Sequence, residues 1–206
     1  HRQVGTAGAV PVMVAGGDID LRGHLPQRGG QTFRRVPIGV GAVKKVTGKQ
    51  HQLNAVLIDV VGKALGQLPA FPAAGRRLPG ALVLMSPWTD MTMSGASYAE
   101  RAESDPMLTP EYIEAVRTAY AGGRDYASPD LSPLFADLTG FPPTLIQAGD
   151  HEILYSDAEM LCHALERAGV PCRFEVSEGM WHVFQMFPLR KAAAAMESVA
   201  RFLLER

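Results

Sequence analysis

The chain reads as an α/β protein, a mostly parallel sheet with helices packed on both faces, and three observations predict this. From about residue 80 onward, strand-like and helix-like segments alternate, the order in which parallel sheets are built because each crossover between parallel strands carries a helix. Ala81-Leu82-Val83-Leu84-Met85 is apolar at every position, as expected of a strand covered on both faces. The helical segments show one apolar face each, and two of them stop at glycine. With 206 residues the chain fits one domain, or a little more, and can bury a sizeable core. Its 47% hydrophobic and 20% charged content excludes the disordered and membrane classes.

In chain order, residues 1–80 give the weakest signals. Val10-Pro11-Val12-Met13-Val14 and Ala55-Val56-Leu57-Ile58-Asp59-Val60-Val61 fit strands or a buried helix, dense Gly, Pro and basic residues interrupt the rest, and no repeat is found. The run from Ala81 to Met85 is the first well-marked strand and ends at Ser86-Pro87-Trp88. Thr109-Pro110 then resembles an N-cap followed by proline at the first helical position, with Ile113, Val116 and Tyr120 on one face and Gly122-Gly123 as the stop. Pro143-Thr144-Leu145-Ile146-Gln147-Ala148 is the next strand and breaks at Gly149. Ser156 and Glu159 have capping-box spacing, and Ala158, Leu161, Cys162, Leu165 and Ala168 recur at helical intervals before Gly169. Cys172, Phe174 and Val176 alternate with Arg173, Glu175 and Ser177, which predicts a strand with one drier face. A final helix buries Leu189, Ala192, Ala193, Met196, Val199, Ala200 and Leu203.

The net charge of -1 conceals a split. Residues 1–80 carry eleven Lys and Arg against three Asp, whereas residues 81–206 carry nine against eighteen Asp and Glu. The first eighty also lack Ser, Glu, Tyr, Trp and Cys. The domain reading is therefore an atypical basic, Gly/Pro-rich segment over 1–74 and an α/β unit over 75–206. Arg34-Arg35, Lys44-Lys45 and Lys49 form a basic run, but no interleaved aromatics support a nucleic-acid partner. Cys162 and Cys172 form neither a disulfide framework nor a metal-ligand spacing. Cys162 is expected in the core, and a reduced, cytoplasmic setting follows. No apolar stretch approaches the ~18 residues of a membrane span, the start at His1 lacks the regions of a signal peptide, and a first residue other than Met fits a trimmed or truncated product.

Chemistry concentrates at two strand ends. Open parallel sheets place function at the carboxyl ends of their strands, and Glu152 and His182 each follow such an end. A carboxylate that accepts from one imidazole nitrogen fixes the tautomer and leaves the other nitrogen to take a proton from a nucleophile. Glu152 would orient and His182 would act as general base. Asp150 is the neighbouring alternative acid. Taken singly, Glu152 reads better as a solvated loop carboxylate and His182 as a surface or satisfied-core histidine than as catalytic groups.

Several motifs in order change that balance: Ala81-Leu82-Val83-Leu84-Met85-Ser86-Pro87-Trp88-Thr89-Asp90, Ser104-Asp105-Pro106-Met107-Leu108-Thr109, Ser132-Pro133-Leu134, Phe141-Pro142-Pro143-Thr144-Leu145-Ile146, Gly149-x-x-Glu152-x-Leu154, and Gly179-Met180-Trp181-His182-Val183-Phe184. Over about residues 75–206 the chain resembles the hormone-sensitive-lipase-like group of α/β-hydrolases, whose members are mainly esterases of short-chain acyl esters. The resemblance implies an α/β-hydrolase fold, a small-molecule ester substrate, a Ser-His-acid mechanism with Glu152 and His182 as acid and base, and no cofactor or metal. It also implies pairing of two copies through the last strand and the C-terminal helix. Trp88, Tyr98, Met107 and Trp181 either line an acyl or alcohol pocket, as the matching segments do in that group, or simply pack.

The departures carry the functional expectation. In this family the serine sits in a G-x-S-x-G elbow before the acid, about a hundred residues earlier, where this chain reads Leu53-Asn54-Ala55-Val56-Leu57-Ile58-Asp59-Val60; its first serine is Ser86. The family's His-Gly-Gly-rich oxyanion loop is missing too; Gly16-Gly17-Asp18 and Arg28-Gly29-Gly30 read as ordinary turns. Gly95-Ala96-Ser97-Tyr98-Ala99 imitates an elbow but follows no strand, and Ser86, at the end of a buried strand, reads as structural. Without the nucleophile covalent acyl transfer is lost, and missing oxyanion donors cost about 3 kcal/mol more. The expectation is an esterase by lineage, altered in its N-terminal part by a frame shift, rearrangement or truncation and impaired as it stands. The alternatives are a non-catalytic binding protein, and a hydrolase completed by a serine from another polypeptide.

Overall fold

β2 (Leu82–Met85) is the strand that the apolar run predicts, and all four residues are buried. The computed structural model of the protein describes Val12, Met13, Leu65 and residues 78–205. Within them a four-stranded sheet forms from β1 (Val12–Met13), β2, β3 (Thr144–Gly149) and β4 (Cys172–Ser177), in that spatial order and with every pairing parallel. Val83 lies between Val12 and Leu145, and Gln147 between Met85 and Glu175. Parallel strands share a direction, so Met85 and Gly149 bring the chain out at the same edge of the sheet.

Side chains alternate across a strand, and both faces are apolar here. Leu82, Leu84, Ile146 and Ala148 pack on Ala158, Leu161, Cys162 and Leu165 of α3 (Tyr155–Arg167), together with Leu65. Ala81, Val83, Met85 and Leu145 face the other way, against Val199 and Phe202 of α4 (Arg190–Leu204). Removing one such aliphatic or aromatic side chain from water contributes about 1.5–3 kcal/mol. The predicted sheet with helices on both faces is what the chain forms. The shorter α1 (Ser97–Glu100) and the longer α2 (Pro110–Ala121) belong to a third apolar layer. There Ile113, Val116 and Ala121 cover Trp88, Met91, Tyr98, Leu108, Leu131, Ile153 and Leu154. α2 starts and stops as its sequence predicts: the Thr109 side chain accepts the Tyr112 N–H, and Gly122 turns left-handed at φ 57°.

Several expectations are corrected. α3 starts at Tyr155, so Ser156 lies inside its first turn rather than capping it; the Ser156 N–H is accepted at 2.9 Å by the hydroxyl of Ser97, a cap supplied from outside the helix. α4 buries Ala192, Ala195, Ser198, Val199 and Phe202, while Ala193 is exposed. A run of alanines carries no contrast to say which of them faces inward, and Phe202 decides the rotation. In β4 the drier face holds at Cys172 and Phe174, which pack on the core, but Val176 is 45% exposed. Cys162 and Cys172 are joined in a disulfide, with Cα atoms 5.7 Å apart. The left-handed turn at Gly169 (φ 75°) sends the start of β4 back along the buried face of α3, which brings the two cysteines together. Cys162 is in the core as expected, but not as a free thiol.

Of the segment Val10–Val14, open between strand and buried helix in the sequence, Val12 and Met13 are described and are strand. The segment Ala55–Val61, the turns at Gly16-Gly17-Asp18 and Arg28-Gly29-Gly30, the basic run and the boundary at residue 74 lie outside the described residues.

Candidate active site

Two turns at the carboxyl edge of the sheet are fastened to each other. β3 ends at Gly149, and a Cβ there would overlap the Met180 carbonyl, so only glycine admits this approach. Across the seam the Asp150 N–H donates to Ser177 O at 3.3 Å, the His151 N–H donates to Met180 O at 3.0 Å, and the Asp150 carboxylate accepts the Gly179 N–H at 2.6 Å. Asp150 therefore shapes the turn before His182, and it is Glu152 that reaches the imidazole.

Glu152 is fully buried, and its oxygens are fully employed. Oε1 accepts the Gly149 N–H at 2.6 Å and the Ser86 hydroxyl at 3.0 Å; Oε2 lies 3.1 Å from His182 Nδ1. A buried carboxylate needs such donors, and when ionised it can only accept. Nδ1 therefore brings the proton to this contact, and a neutral ring carries none on Nε2. Nε2 has no hydrogen-bond partner among the described residues. The ring itself is 8% exposed at its side chain. The arrangement is an imidazole held from behind in one tautomer, with its basic nitrogen forward.

His182 is followed by Val183, a β-branched residue at φ 48°, a conformation that costs about 1–3 kcal/mol and persists only when its surroundings impose it. Two contacts do so. The Val183 N–H donates to the Ser86 hydroxyl at 3.0 Å. Two residues on, Gln185 Nε2 donates to Gln147 Oε1 at 3.2 Å, and Gln147 Nε2 reaches the Ala195 carbonyl at 3.0 Å and Glu175 at 2.8 Å.

The acid turn is anchored from its other side by two buried carboxylates, Asp105 of the Ser104-Asp105-Pro106 motif and Asp157, neither of which has a sequence pattern that assigns it this role. Asp105 accepts the Ile153 N–H at 3.0 Å on one oxygen and the N–H groups of Met107 and Leu108 on the other. Asp157, in the first turn of α3, accepts the N–H groups of Thr89 and Asp90 at 2.8 and 2.7 Å on Oδ2, while Oδ1 has no hydrogen-bond partner. Burial pushes the Asp157 carboxyl up to about 7; the Thr89 N–H, the Tyr98 hydroxyl and the Asp90 N–H pull it down, and the Asp90 charge raises it. Proximity to Asp157 and burial raise the Tyr98 phenol in turn, burial being the larger cause. The only advance signal for Asp157 was its place at the start of a well-marked helix.

The elbow lookalike has a structural occupation. The Ser97 hydroxyl donates to Ile153 O at 2.6 Å while accepting the Ser156 N–H, and a Cβ on Gly95 would run into Ser156. Trp88 and Tyr98 are buried in the layer under α2, whereas Met107 and Trp181 are half-buried, Trp181 edge-on to Phe187 with ring centroids 5.6 Å apart. No hydroxyl or thiol of a described residue hydrogen-bonds to His182, and no cluster of potential metal ligands occurs among the described residues.

Known proteins carry the same framework. An acetyl-hydrolase of Streptomyces hygroscopicus is 38% identical over 144 residues, which are 69% of this chain and 48% of its own. An esterase of Acinetobacter venetianus is 36% identical over 128 residues, 61% of this chain and 42% of that one. Among solved structures, an esterase from the bacterial hormone-sensitive lipase family superposes with a TM-score of 0.64 at 34% identity, covering 72% of this chain and 48% of that one. A hormone-sensitive lipase from a metagenome library gives 0.67 at 31% identity, covering 70% and 50%. The chain thus spans about half the length of the relatives it matches. The resemblance to hormone-sensitive-lipase-family esterases read from the motifs holds, and with residues 61–186 matching the family model of the alpha/beta hydrolase fold, this chain belongs to the α/β-hydrolase fold family.

Proposed function

We propose that the chain is the acid-and-base portion of a carboxylic ester hydrolase for small-molecule esters, and that it is impaired or inactive as it stands because it brings no nucleophilic serine. The carrying observation is the 3.1 Å contact between His182 Nδ1 and a Glu152 whose other oxygen is already held by two donors. In this reading Glu152 orients the ring and stabilises the imidazolium that forms. His182 Nε2 takes the proton of an attacking hydroxyl and returns it to the leaving alcohol. The esterase and acetyl-hydrolase names of the relatives support the substrate class. Impairment is supported by the absence of serine before Ser86 and by the engagement of Ser86 and Ser97 in structural contacts.

Turnover of p-nitrophenyl acetate by the purified chain and by His182→Ala tests this. The expected result is equal, background-level hydrolysis in both. Hydrolysis well above background that disappears in His182→Ala would overturn the inactivity, and activity appearing only on mixing with a second polypeptide would point to a serine supplied in trans. The alternative, a non-catalytic relative that binds a partner, predicts the same absence of turnover and is told apart by a partner complex, not by this assay.

Two further expectations belong to the same proposal. Pairing of two copies through β4 and α4 is supported by the place of β4 at the end of the described sheet, with Val176 45% exposed; a sedimentation mass of one chain would refute it. The second is a cytoplasmic setting, in which glutathione would open the Cys162–Cys172 disulfide seen in this structure; no helix among the described residues is long and apolar enough to cross a membrane.

A further inference from the structure

Ser86 stands at a junction that the acid-and-base reading does not use. It is 3% exposed, it ends β2 in the left-handed region at φ 47°, and its own N–H is fixed to Gln147 O at 2.7 Å. Its hydroxyl touches the two segments that carry Glu152 and His182, accepting the Val183 N–H at 3.0 Å and lying 3.0 Å from Glu152 Oε1. The directions are forced. An amide N–H can only donate, so the hydroxyl oxygen accepts there; an ionised carboxylate can only accept, so the hydroxyl proton points to Glu152. One small side chain thus ties the acid to the residue directly after the base, across 66 and 97 positions of sequence.

We infer that Ser86 is a positioning residue for the Glu152–His182 pair, with its hydroxyl aiming Glu152 Oε2 at His182 Nδ1 while it holds the left-handed backbone of Val183. Glu152 has two oxygens and could rotate about its terminal bond. The Gly149 N–H fixes one direction at Oε1, and the Ser86 proton supplies a second at the same atom, which leaves Oε2 a single orientation toward the ring. Loss of the hydroxyl frees the carboxylate to rotate and leaves the Val183 N–H buried and unpaired in a conformation that a β-branched residue avoids. A residue without a hydroxyl would perform neither task.

This inference rests on the reading of Glu152 and His182 as an acid–base pair, and the test separates the two. The full chain is observed by proton NMR for the far-downfield Nδ1–H signal of His182, identified by its absence in Glu152→Gln, with its solvent exchange rate measured in the wild type, Ser86→Ala, Ser86→Gly and the control Ser97→Ala. In both Ser86 variants the exchange should speed up about tenfold or more, the loss expected for one hydrogen bond to a charged group. Ser97→Ala, which breaks a buried hydroxyl contact on the other side of the acid turn, at the Ile153 carbonyl, and touches neither Glu152 nor Val183, should leave it unchanged. Ser86→Gly relaxes the left-handed backbone while removing the hydroxyl, so it keeps the test open where Ser86→Ala fails to fold. Protection retained in Ser86→Gly would show that only backbone strain mattered at this position and would overturn the inference. Equal loss in Ser97→Ala would overturn it as well, reducing the effect to general loosening. Absence of the signal in the wild type would remove the acid–base pair itself, and the positioning role with it.

Discussion

The buried carboxyl of Asp157 makes the stability of the chain depend on pH in a direction opposite to that of ordinary paired carboxylates. It has an ordinary value of 3.8 when exposed and is pushed to about 7 in the fold, chiefly by burial. Between those values the folded chain holds a proton that the unfolded chain has released. The associated stability is fully present below pH 3.8 and is lost as pH rises through 7. At about 1.4 kcal/mol per pH unit, the whole interval amounts to on the order of 4 kcal/mol, of which about 2–3 kcal/mol falls between pH 5 and pH 8. Asp157→Asn removes the titration but keeps one oxygen to accept the N–H groups of Thr89 and Asp90, so the contact between α3 and the chain after β2 survives. Urea unfolding at pH 5, 6, 7 and 8 and fixed ionic strength is the assay. The wild type should lose about 2–3 kcal/mol more than Asp157→Asn across that range. Parallel stability curves for the two proteins would refute the reasoning and mean that the two backbone donors keep the buried carboxyl ionised.

Gly149→Ala should be among the most damaging small changes, since its methyl would meet the backbone carbonyl of Met180 rather than a movable side chain; about 3 kcal/mol or more of stability should be lost in urea melts, together with protection of the His151 amide in hydrogen exchange. The disulfide between Cys162 and Cys172 spans ten positions of sequence, and closing so short a loop predicts a loss of about 2.5 kcal/mol on reduction or in a Cys162→Ala/Cys172→Ala chain, read from the unfolding midpoint. An unchanged midpoint would mean that the cysteines contribute packing alone.

What the sequence discloses is what is encoded by neighbours in sequence. α2 is marked by Thr109, Pro110 and Gly122, each acting within one turn of its own position, and both its ends fall where expected. β2 is legible because a strand covered on both faces shows an unbroken apolar run, and β3 because apolar Leu145, Ile146 and Ala148 follow Pro143 and stop at Gly149. Glu152 and His182 stand out as candidates because each lies just beyond a strand or its turn, at the edge where parallel sheets gather function. The misreadings have the opposite character. The cap of the Ser156 N–H comes from Ser97, 59 residues away, and no local pattern at Ser156 reveals it. The pairing of Cys162 with Cys172 depends on how sharply the chain turns at Gly169, not on the spacing of the two cysteines. The part played by Ser86 was hidden for the same reason: both partners of its hydroxyl arrive from distant segments, so at the sequence level it is one polar residue at the end of a buried strand.

The central claim is that this chain holds an oriented acid and base without a nucleophile of its own. Incubation of the intact protein with a fluorophosphonate, followed by intact mass and peptide mapping, tests it most directly, because such reagents are captured by a hydroxyl only where a base has activated it. The account predicts an unmodified mass for the wild type and for His182→Ala alike. A stoichiometric adduct on any residue of this chain, lost in His182→Ala, would contradict it.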